Sequence, residues 1–335
     1  MTVAENIFDK VTVNVNDIRL AILNNKPIEE NLHVIICISN PCEYESRYIL
    51  TKEFIQRMKN ELHVILYVVE LAYKNQEYII TEEGNPRHLQ LRTEVPIWHK
   101  ENLINCGIRL LPSDWKAFAW VDADIEFESW SWALDTLKIL NGSRDIVQVF
   151  SHCVDMDENE RALNIFQSFG LQYAKGQHVI GKGINYWHCG YGWAMTRAAY
   201  EKIGSLYDVS ILGAGDHNMA LAIIGRAMES LNRDTTEDYK NSLREFEKKA
   251  SNLRFGYVPC VIRHHFHGCK KDRKYMERWR LLVDNKFEPS KHVTHNKDGI
   301  LVPTKECPSK LLYQILQYFK QRNEDYRFQK LTTCP

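Results

Sequence analysis

Two short apolar runs separated by a polar stretch constrain the fold of this chain more than any other feature. The first, Leu32–Ile38, is rich in β-branched residues and ends just before Pro41, which is typical of a buried strand. Between residues 44 and 58 the apolar residues recur at helical spacing, and a second apolar run follows at Leu62–Val69. Strand, helix and strand at this spacing predict a βαβ unit, a mostly parallel sheet and an α/β fold.

Further elements continue this pattern along the chain. Ala117–Val121 and Ile146–Phe150 are predicted strands, and Tyr257–Ile262 is predicted as the last strand of the core. A short helix is predicted at 102–106, where Gly107 would end it as a left-handed C-cap. Near the end of the chain an apolar stripe at helical spacing is expected to dock on the body. Its residues are Leu311, Leu312, Ile315, Leu316 and Phe319.

The charge balance gives no support for partners that are recruited by bulk electrostatics. Lys and Arg number 43 and Asp and Glu number 43, so a nucleic acid or an anionic membrane is not expected as a partner. Nine scattered cysteines without a C-x-x-C pair indicate a reducing compartment. The N-terminus lacks the pattern of a signal peptide, and no apolar run approaches the roughly 20 residues of a membrane span. We therefore expect a cytoplasmic protein of bacterial or viral type, without a transmembrane segment.

Asp122 and Asp124 come directly after the predicted strand Ala117–Val121. Ligands of open α/β sheets bind at the carboxyl ends of strands, and residues two apart in extended chain face the same way. Carboxylate oxygens suit Mg²⁺ or Mn²⁺, the ions that accompany a nucleotide diphosphate. Paired acids in loops are nevertheless often only solvated or capping. A second copy of the pattern, Asp155-x-Asp157, has the neighbours of an exposed turn.

Three histidines follow the last predicted strand within four positions: His264, His265 and His267. Imidazole binds Mn²⁺ as well as Zn²⁺. If the strand continues through them, His265 and His267 share one face and His264 turns away. A single histidine is usually an ordinary polar residue, but three histidines so close together beside Gly268 favour a metal-binding site.

An acid at the start of a predicted helix is a further candidate. Asp216 follows Gly213-Ala214-Gly215, and glycines permit close approach of the backbone to a ligand. Asp216 could be a general base toward an acceptor hydroxyl or only a helix N-cap, and the local sequence favours neither. A helix N-terminus favours the charged form of a carboxylate, so a low pKa is expected there.

Aromatic residues and glycines are dense at Tyr186–Trp193. Aromatic faces pack on the C–H surfaces of sugars, and glycines leave room for a bulky ligand. Aromatic residues in such a loop also often belong to a minor core. Their density here favours a binding segment modestly.

In their order along the chain, these pieces resemble the GT-A family of nucleotide-sugar glycosyltransferases, over roughly Leu32–Leu282. The segments that carry the resemblance are the helix-like Trp98–Ile108, the D-x-D strand Trp120–Ile125, the acceptor segment His188–Met195, the catalytic pair Gly215-Asp216, and His267-Gly268 with the basic run 270–275.

The resemblance implies a Rossmann-like, mostly parallel sheet flanked by helices in a single large domain. That catalytic domain would cover residues 31–285, with a nucleotide-sugar half at 31–150 and an acceptor half at 151–285. Residues 1–30 would be an N-terminal segment, and 286–335 a tail with an amphipathic helix. The implied activity is metal-dependent transfer of a sugar from a nucleotide sugar, with UDP as the expected nucleotide, to the hydroxyl of a glycan or other acceptor.

The roles that the resemblance implies fall on individual residues of this chain. Asp124 and His267 would bind Mn²⁺ or Mg²⁺, with His265 as the alternate ligand and Asp122 reaching the metal or the donor's ribose and sugar. Asn40 and Tyr44 would border the nucleobase, and Lys100 and Lys270 would lie near the diphosphate. Trp187, Gly190 and Trp193 would contact the acceptor, and Asp216 would be the base of an inverting reaction.

One departure and three alternatives remain at this point. Many inverting members carry two adjacent acids, whereas His217 follows Asp216 here, so the stereochemistry stays open. A nucleotidyltransferase also sets acids at the end of a parallel strand, but it normally has a Gly-rich, basic loop after the first strand. A metal hydrolase would leave the aromatic segment without a purpose. A glycan-binding protein on a transferase fold is the non-catalytic alternative.

Overall fold

The computed structural model describes residues 15–176, 187–274 and 277–325. Over these ranges, no helix combines the length and the apolar character that a membrane span requires.

Fourteen strands occur in the described residues. They are β1 Leu32–Ser39, β2 Val64–Tyr73, β3 His88–Thr93, β4 Ala117–Val121, β5 Ile125–Phe127, β6 Ile146–Gln148, β7 His152–Met156, β8 Ala162–Ser168, β9 Trp187–His188, β10 Gly192–Thr196, β11 Phe255–Tyr257, β12 Val261–His264, β13 Val293–His295 and β14 Leu301–Pro303.

The same ranges contain eleven α-helices. They are α1 Val15–Asn24, α2 Glu45–Met58, α3 Lys100–Gly107, α4 Trp132–Leu140, α5 Phe169–Ala174, α6 Arg197–Ile203, α7 Gly215–Ile223, α8 Glu237–Ala250, α9 Glu277–Asp284, α10 Pro289–His292 and α11 Ser309–Gln321. One-turn 3-10 helices lie at Ile108–Leu110, Ala227–Ser230 and Lys270–Arg273.

The main sheet has seven strands in the order β11-β6-β10-β4-β1-β2-β3. β1 pairs in parallel with both β2 and β4, β2 with β3, and β6 with β11, while β10 runs antiparallel between β4 and β6. The predicted βαβ unit is β1-α2-β2, and the mostly parallel sheet flanked by helices confirms the predicted fold class. Because β1 and β4 are neighbours, the residues that follow both strands lie at the same edge of the sheet.

Gly107 corrects one local prediction. Instead of ending its helix in a left-handed conformation, it has φ −65° and belongs to α3. A Cβ at this position would lie 2.8 Å from Cγ2 of Val69 and 2.9 Å from Cγ2 of Ile35. Glycine is therefore needed here for close packing of α3 on the sheet, not for a helix end.

A second sheet, of five strands, has the order β5-β12-β7-β8-β9. The single strand predicted at Tyr257–Ile262 is wrong, because Pro259 separates β11 in the main sheet from β12 in the second one. The residues between β4 and β5 connect the two sheets, and these are Asp122, Ala123 and Asp124. The D-x-D pattern thus lies at the junction of the sheets.

The C-terminal helix α11 docks on the body, as its apolar stripe predicts. Leu311, Ile315 and Phe319 are buried, and Tyr318 joins them. Leu312 and Leu316 lie at the margin of this face and are partly exposed. The helix brings the residues that follow it, up to Asp325, beside the site described next.

Candidate functional site

Backbone hydrogen bonds fix the segment that carries the two aspartates. The N–H of Asp122 donates to the carbonyl of Tyr191 at 2.7 Å, and the carbonyl of Asp124 accepts from the N–H of His265 at 2.8 Å. The segment is thus tied to the strand β10 region on one side and to the histidine segment on the other. This connection brings residues distant in sequence to one point.

Asp124, His264 and His267 form a group whose possible ligand atoms all lie within 4.8 Å of one another. Oδ2 of Asp124 lies 2.6 Å from Nε2 of His267 and 3.8 Å from Nε2 of His264. Among the described residues, Oδ1 of Asp124 and Nε2 of His264 are buried and have no hydrogen-bond partner. Buried polar atoms without partners are rare in folded proteins, so their convergence indicates a place where a cation fits. Among the described residues, no second group of three such side chains occurs.

His264 is oriented by a buried carboxylate behind it. Its Nδ1 lies 2.7 Å from Oδ1 of Asp155, with which it pairs across β12 and β7. An Nδ1–H that donates to Asp155 leaves the lone pair of Nε2 directed toward Asp124. A carboxylate behind a histidine ligand is the usual arrangement at metal sites, because it fixes the tautomer and the ring orientation.

The expected orientation of the histidines is wrong. β12 ends at His264, and within the strand His264 shares the buried face with Ile262. His265 lies beyond the strand, with Nε2 3.4 Å from Oε2 of Glu126, and it is not part of the group of three. The predicted strand ended at Ile262, whereas β12 continues to His264, and the apolar Ile262 two positions before His264 could have indicated that His264 lies on the buried face.

The second D-x-D copy is divided between two environments. Asp155 is 2% exposed and contacts His264. Asp157 lies in a turn, as predicted, where its Oδ1 accepts from the N–H groups of Asn159 and Arg161. Only Asp155 therefore belongs to the site, and only through His264.

Lys100 lies between Asp122 and Asp216 and contacts both carboxylates. Its Nζ lies 2.6 Å from Oδ1 of Asp122 and 3.2 Å from Oδ2 of Asp216. Burial lowers the pKa of Lys100, but Asp122 and Asp216 outweigh burial, so its pKa lies well above the usual range and it stays charged. Asp122 thus contacts the ammonium group rather than the group of three that contains Asp124.

Asp216 is the second residue of α7, and Ala214 occupies the N-cap position with φ 77°. The N-cap interpretation of Asp216 is therefore wrong. Gly215 is required because a Cβ there would lie 2.3 Å from Oε1 of Glu101. Contrary to the expected low value, burial raises the pKa of Asp216, although Lys100 acts in the opposite direction. Loss of solvation here outweighs the favourable helix terminus.

One cavity of about 670 Å³, a size within the range of small-molecule sites, contains the candidate site. The site residues that line it are Lys100, Asp122, Asp124, Asp216, His264 and His267. Asn40 and Tyr44 also line it. Asn40 is occupied in shaping its own loop, because its side chain bonds to both the N–H and the carbonyl of Tyr44, at 3.0 and 2.8 Å. The ring of Tyr44 is left as the group that can border a ligand on this side.

The aromatic segment divides between the cavity and the core. Trp187 and Gly190 line the cavity, and Nε1 of Trp187 is buried and has no hydrogen-bond partner within the described ranges. Trp193 does not line it; it is 1% exposed and packs on Trp120 and Phe255, with ring centroids 6.5 and 5.3 Å apart. As the second residue of the fully buried antiparallel β10, Trp193 is a core residue, which corrects its expected acceptor role. Tyr186 and the Lys270 side chain lie outside the described parts.

Several charged residues of the cavity were not predicted from the sequence. They are Arg47, Arg273, Arg278, Arg322 and Glu324. Arg273 was included only as a member of the basic run 270–275, and no local pattern distinguishes the other four from the remaining charged residues of the chain. The fold brings them to the site from α2, from the segment after His267, from α9 and from the end of α11.

Comparisons with known proteins give likeness in structure only. No protein-family model matches the chain, and no curated protein sequence matches it. A mannosyltransferase from Pyrobaculum calidifontis, solved with GDP-Man and Mn²⁺, is similar with a TM-score of 0.42 and 13% identity, over 85% of this chain and 74% of that one. A mannosyl-3-phosphoglycerate synthase from Rubrobacter xylanophilus has a TM-score of 0.36 and 10% identity, over 90% and 93% of the two chains.

A galactosyltransferase 7 from Drosophila, solved with manganese, UDP-Gal and xylobiose, has a TM-score of 0.30 and 10% identity. That match covers 59% of this chain and 62% of the other. With TM-scores below 0.5, none of these likenesses assigns a role to a residue of this chain.

Proposed function

We propose that the chain is a metal-dependent glycosyltransferase that moves a sugar from a nucleotide sugar to the hydroxyl of a glycan or other acceptor. One observation carries the proposal. The group Asp124, His264 and His267 lines the same cavity as Lys100 and Asp216, so a candidate cation site and a partly buried carboxylate face one ligand space.

The donor set suits a divalent ion that binds a diphosphate. One carboxylate and two imidazoles fit Mn²⁺, and three protein ligands leave positions for oxygens of a ligand. When bound, such an ion neutralises charge on the leaving diphosphate. The residues that would hold it are Asp124, His264 and His267, with Asp155 orienting His264. This replaces His265 in the proposed ligand set.

Lys100 and Asp216 would act on the two reacting partners. The Lys100 ammonium, held between Asp122 and Asp216, would lie near the donor's negative charge. Asp216 would take the proton of the acceptor hydroxyl on a carboxylate oxygen, as the general base of an inverting reaction. Its raised pKa makes the ionised form a stronger base than an exposed aspartate. UDP is the nucleotide that we propose first.

The assay that tests the proposal is release of nucleoside diphosphate from a panel of UDP- and GDP-sugars with Mn²⁺, in the presence of simple glycosides as acceptors. Release that depends on Mn²⁺ supports the transferase. Pyrophosphate released from a nucleoside triphosphate and a sugar phosphate would indicate the nucleotidyltransferase instead. Metal-dependent nucleotide binding without any turnover would indicate the non-catalytic glycan-binding protein.

Trp187→Phe is expected to raise KM for the acceptor by about tenfold while the affinity for the donor nucleotide changes little. The indole N–H of Trp187 is buried at the cavity and has no hydrogen-bond partner among the residues that the structure describes, and phenylalanine keeps an aromatic ring but removes this donor. A hydrogen bond to a neutral group contributes about 1 kcal/mol, and more where the partner is left buried. Steady-state kinetics with the acceptor varied measures the effect.

Trp193→Phe is the matched control. Its indole N–H already donates to the carbonyl of Cys189 at 2.8 Å and its ring packs in the core, so the variant should lower the melting temperature without a specific change in acceptor KM. If both variants lower stability equally and neither changes acceptor KM selectively, Trp187 belongs to the core as Trp193 does.

A further inference from the structure

The C-terminal segment Tyr318–Asp325 forms one side of the cavity and is anchored to the start of α2. The carboxylate of Asp325 accepts hydrogen bonds from the backbone N–H groups of Glu45 and Ser46, at 3.0 and 2.9 Å. These are orphan donors of the first turn of α2, so Asp325 caps a helix far away in sequence. The anchor fixes the end of the segment beside the loop that follows β1.

The same segment packs on the loop that follows β12. Gly268 has φ +93°, and a Cβ there would lie 3.1 Å from both the carbonyl oxygen of Asn323 and Cα of Glu324. The hydroxyl of Tyr318 donates to the carbonyl of Arg273 at 3.1 Å. The segment therefore lies next to the proposed cation site and is part of the cavity wall.

Glu324 points from this segment into a fork of two arginines. Its Oε2 lies 2.5 Å from Nε of Arg47, and its Oε1 lies 2.9 Å from Nη2 of Arg47 and 2.6 Å from Nε of Arg322. The side chain of Glu324 is 2% exposed and that of Arg322 is 7% exposed. Burial raises the pKa of Glu324, but the two guanidinium groups outweigh burial and hold it well below the usual range.

The two arginines stay in place by contacts that do not involve Glu324. Nη1 of Arg47 donates to the carbonyl of Ser39 at 2.8 Å, and the guanidinium of Arg322 lies 5.4 Å from the centre of the Trp98 ring. Within the contacts of Glu324, two cations thus face one carboxylate in a largely buried place. The arginine fork fits the oxygens of a phosphate as well as those of a carboxylate.

We propose that Arg47 and Arg322 form the binding site for the donor's diphosphate and that Glu324 occupies this site as an internal substitute until the donor displaces it. The inference rests on the proposed function. Arg47, Arg322 and Glu324 line the same cavity as Asp124 and His267, so a diphosphate held by the arginines also reaches the cation site. Its larger negative charge matches the two guanidinium groups better than one carboxylate does.

The test uses inorganic pyrophosphate with Mn²⁺ as the probe, because it does not depend on the identity of the nucleobase. Glu324→Gln keeps the shape of the side chain and removes the charge that competes with the probe. We expect pyrophosphate to bind this variant at least about tenfold more tightly than the wild type, because a charge-assisted hydrogen-bond pair no longer has to be broken. Isothermal titration calorimetry with the full chain measures the affinity, and Mn²⁺ binding alone is measured separately.

Arg47→Gln and Arg322→Gln are expected to weaken pyrophosphate binding by at least about tenfold while Mn²⁺ binding changes little. Glu237→Gln is the control, because Glu237 is an exposed glutamate that pairs with Lys240 at 2.8 Å on α8. It should leave pyrophosphate affinity unchanged. If Glu324→Gln does not fold, the two arginine variants decide the question.

Equal or weaker pyrophosphate binding by a folded Glu324→Gln overturns the inference, since Glu324 would then only orient the arginines. Unchanged binding by both arginine variants overturns it as well. If the wild type turns over a nucleotide sugar while these variants show no effect, the anion site fails and the transferase proposal stands. If pyrophosphate binding changes as predicted but no nucleotide sugar is turned over, the anion site stands and the transferase proposal fails.

Discussion

Replacing Asp124 with alanine is expected to abolish metal-stimulated release of nucleoside diphosphate, together with high-affinity binding of Mn²⁺. Asp124 supplies the carboxylate of the group of three, and its Oδ1 is buried and has no hydrogen-bond partner in the part of the chain that the structure describes. The variant keeps only two neutral imidazoles, which bind a hard cation poorly without a carboxylate. Loss of a residue that only orients a ligand weakens metal binding about 10–100-fold, so loss of the ligand itself should exceed about 10²-fold. Electron paramagnetic resonance of free Mn²⁺ measures the binding.

Variants of two further aspartates serve as comparisons for the loss of Mn²⁺ binding in Asp124→Ala. Asp155→Asn should weaken Mn²⁺ binding by about 10–100-fold, because it alters the partner of His264 and not a ligand. Asp157→Ala is the control, since Asp157 lies in an exposed turn of the second D-x-D copy. Full metal-stimulated activity of Asp124→Ala in EDTA-treated buffer with Mn²⁺ restored would show that the ion binds elsewhere.

The fold was predictable because its signal is local. Leu32–Ile38 is a short, continuous apolar run closed by Pro41, and such a run is typical of a strand that is buried on both faces, as inner strands of parallel sheets are. The residues between it and the next run have a helical period, so the βαβ unit follows. The prediction of secondary structure failed at two places where it depended on the role of a single residue. Pro259 splits a predicted strand between two sheets, and Gly107 serves close packing rather than a helix end.

Only the site residues that directly follow predicted strands could be predicted from the sequence. The carboxyl ends of strands are known ligand positions, so Asp122, Asp124 and the histidine segment could be selected. Whether His264 or His265 faces Asp124 depends on the residue at which β12 ends, and strand ends are the least certain element of a sequence prediction. Glu324 could not be selected at all, because its partner Arg47 is 277 positions away along the chain.

Exchange of Asp216 for asparagine is expected to lower kcat by about 10² to 10⁴, the usual effect of losing general base catalysis, with little change in donor affinity. Asparagine keeps the shape of the side chain and can still accept a hydrogen bond from Lys100, which lies 3.2 Å from Oδ2 of Asp216. The start of α7 should persist, because Ala214 and not Asp216 is its N-cap residue. Asp238→Asn is the matched control, since Asp238 is also the second residue of a helix but belongs to α8.

The pH dependence and the stereochemistry test the same role independently. Only the ionised carboxylate of Asp216 can accept a proton, so kcat/KM should fall as the pH decreases through its pKa. Burial places this pKa above the value of about 3.9 of an unperturbed aspartate, so the acid limb of the profile should lie above that value. The limb should disappear in Asp216→Asn, and the product's anomeric configuration, read by NMR, should be opposite to that of the donor. A retained configuration together with near-normal turnover in the variant would leave Asp216 as a partner of Lys100 without a role in proton transfer.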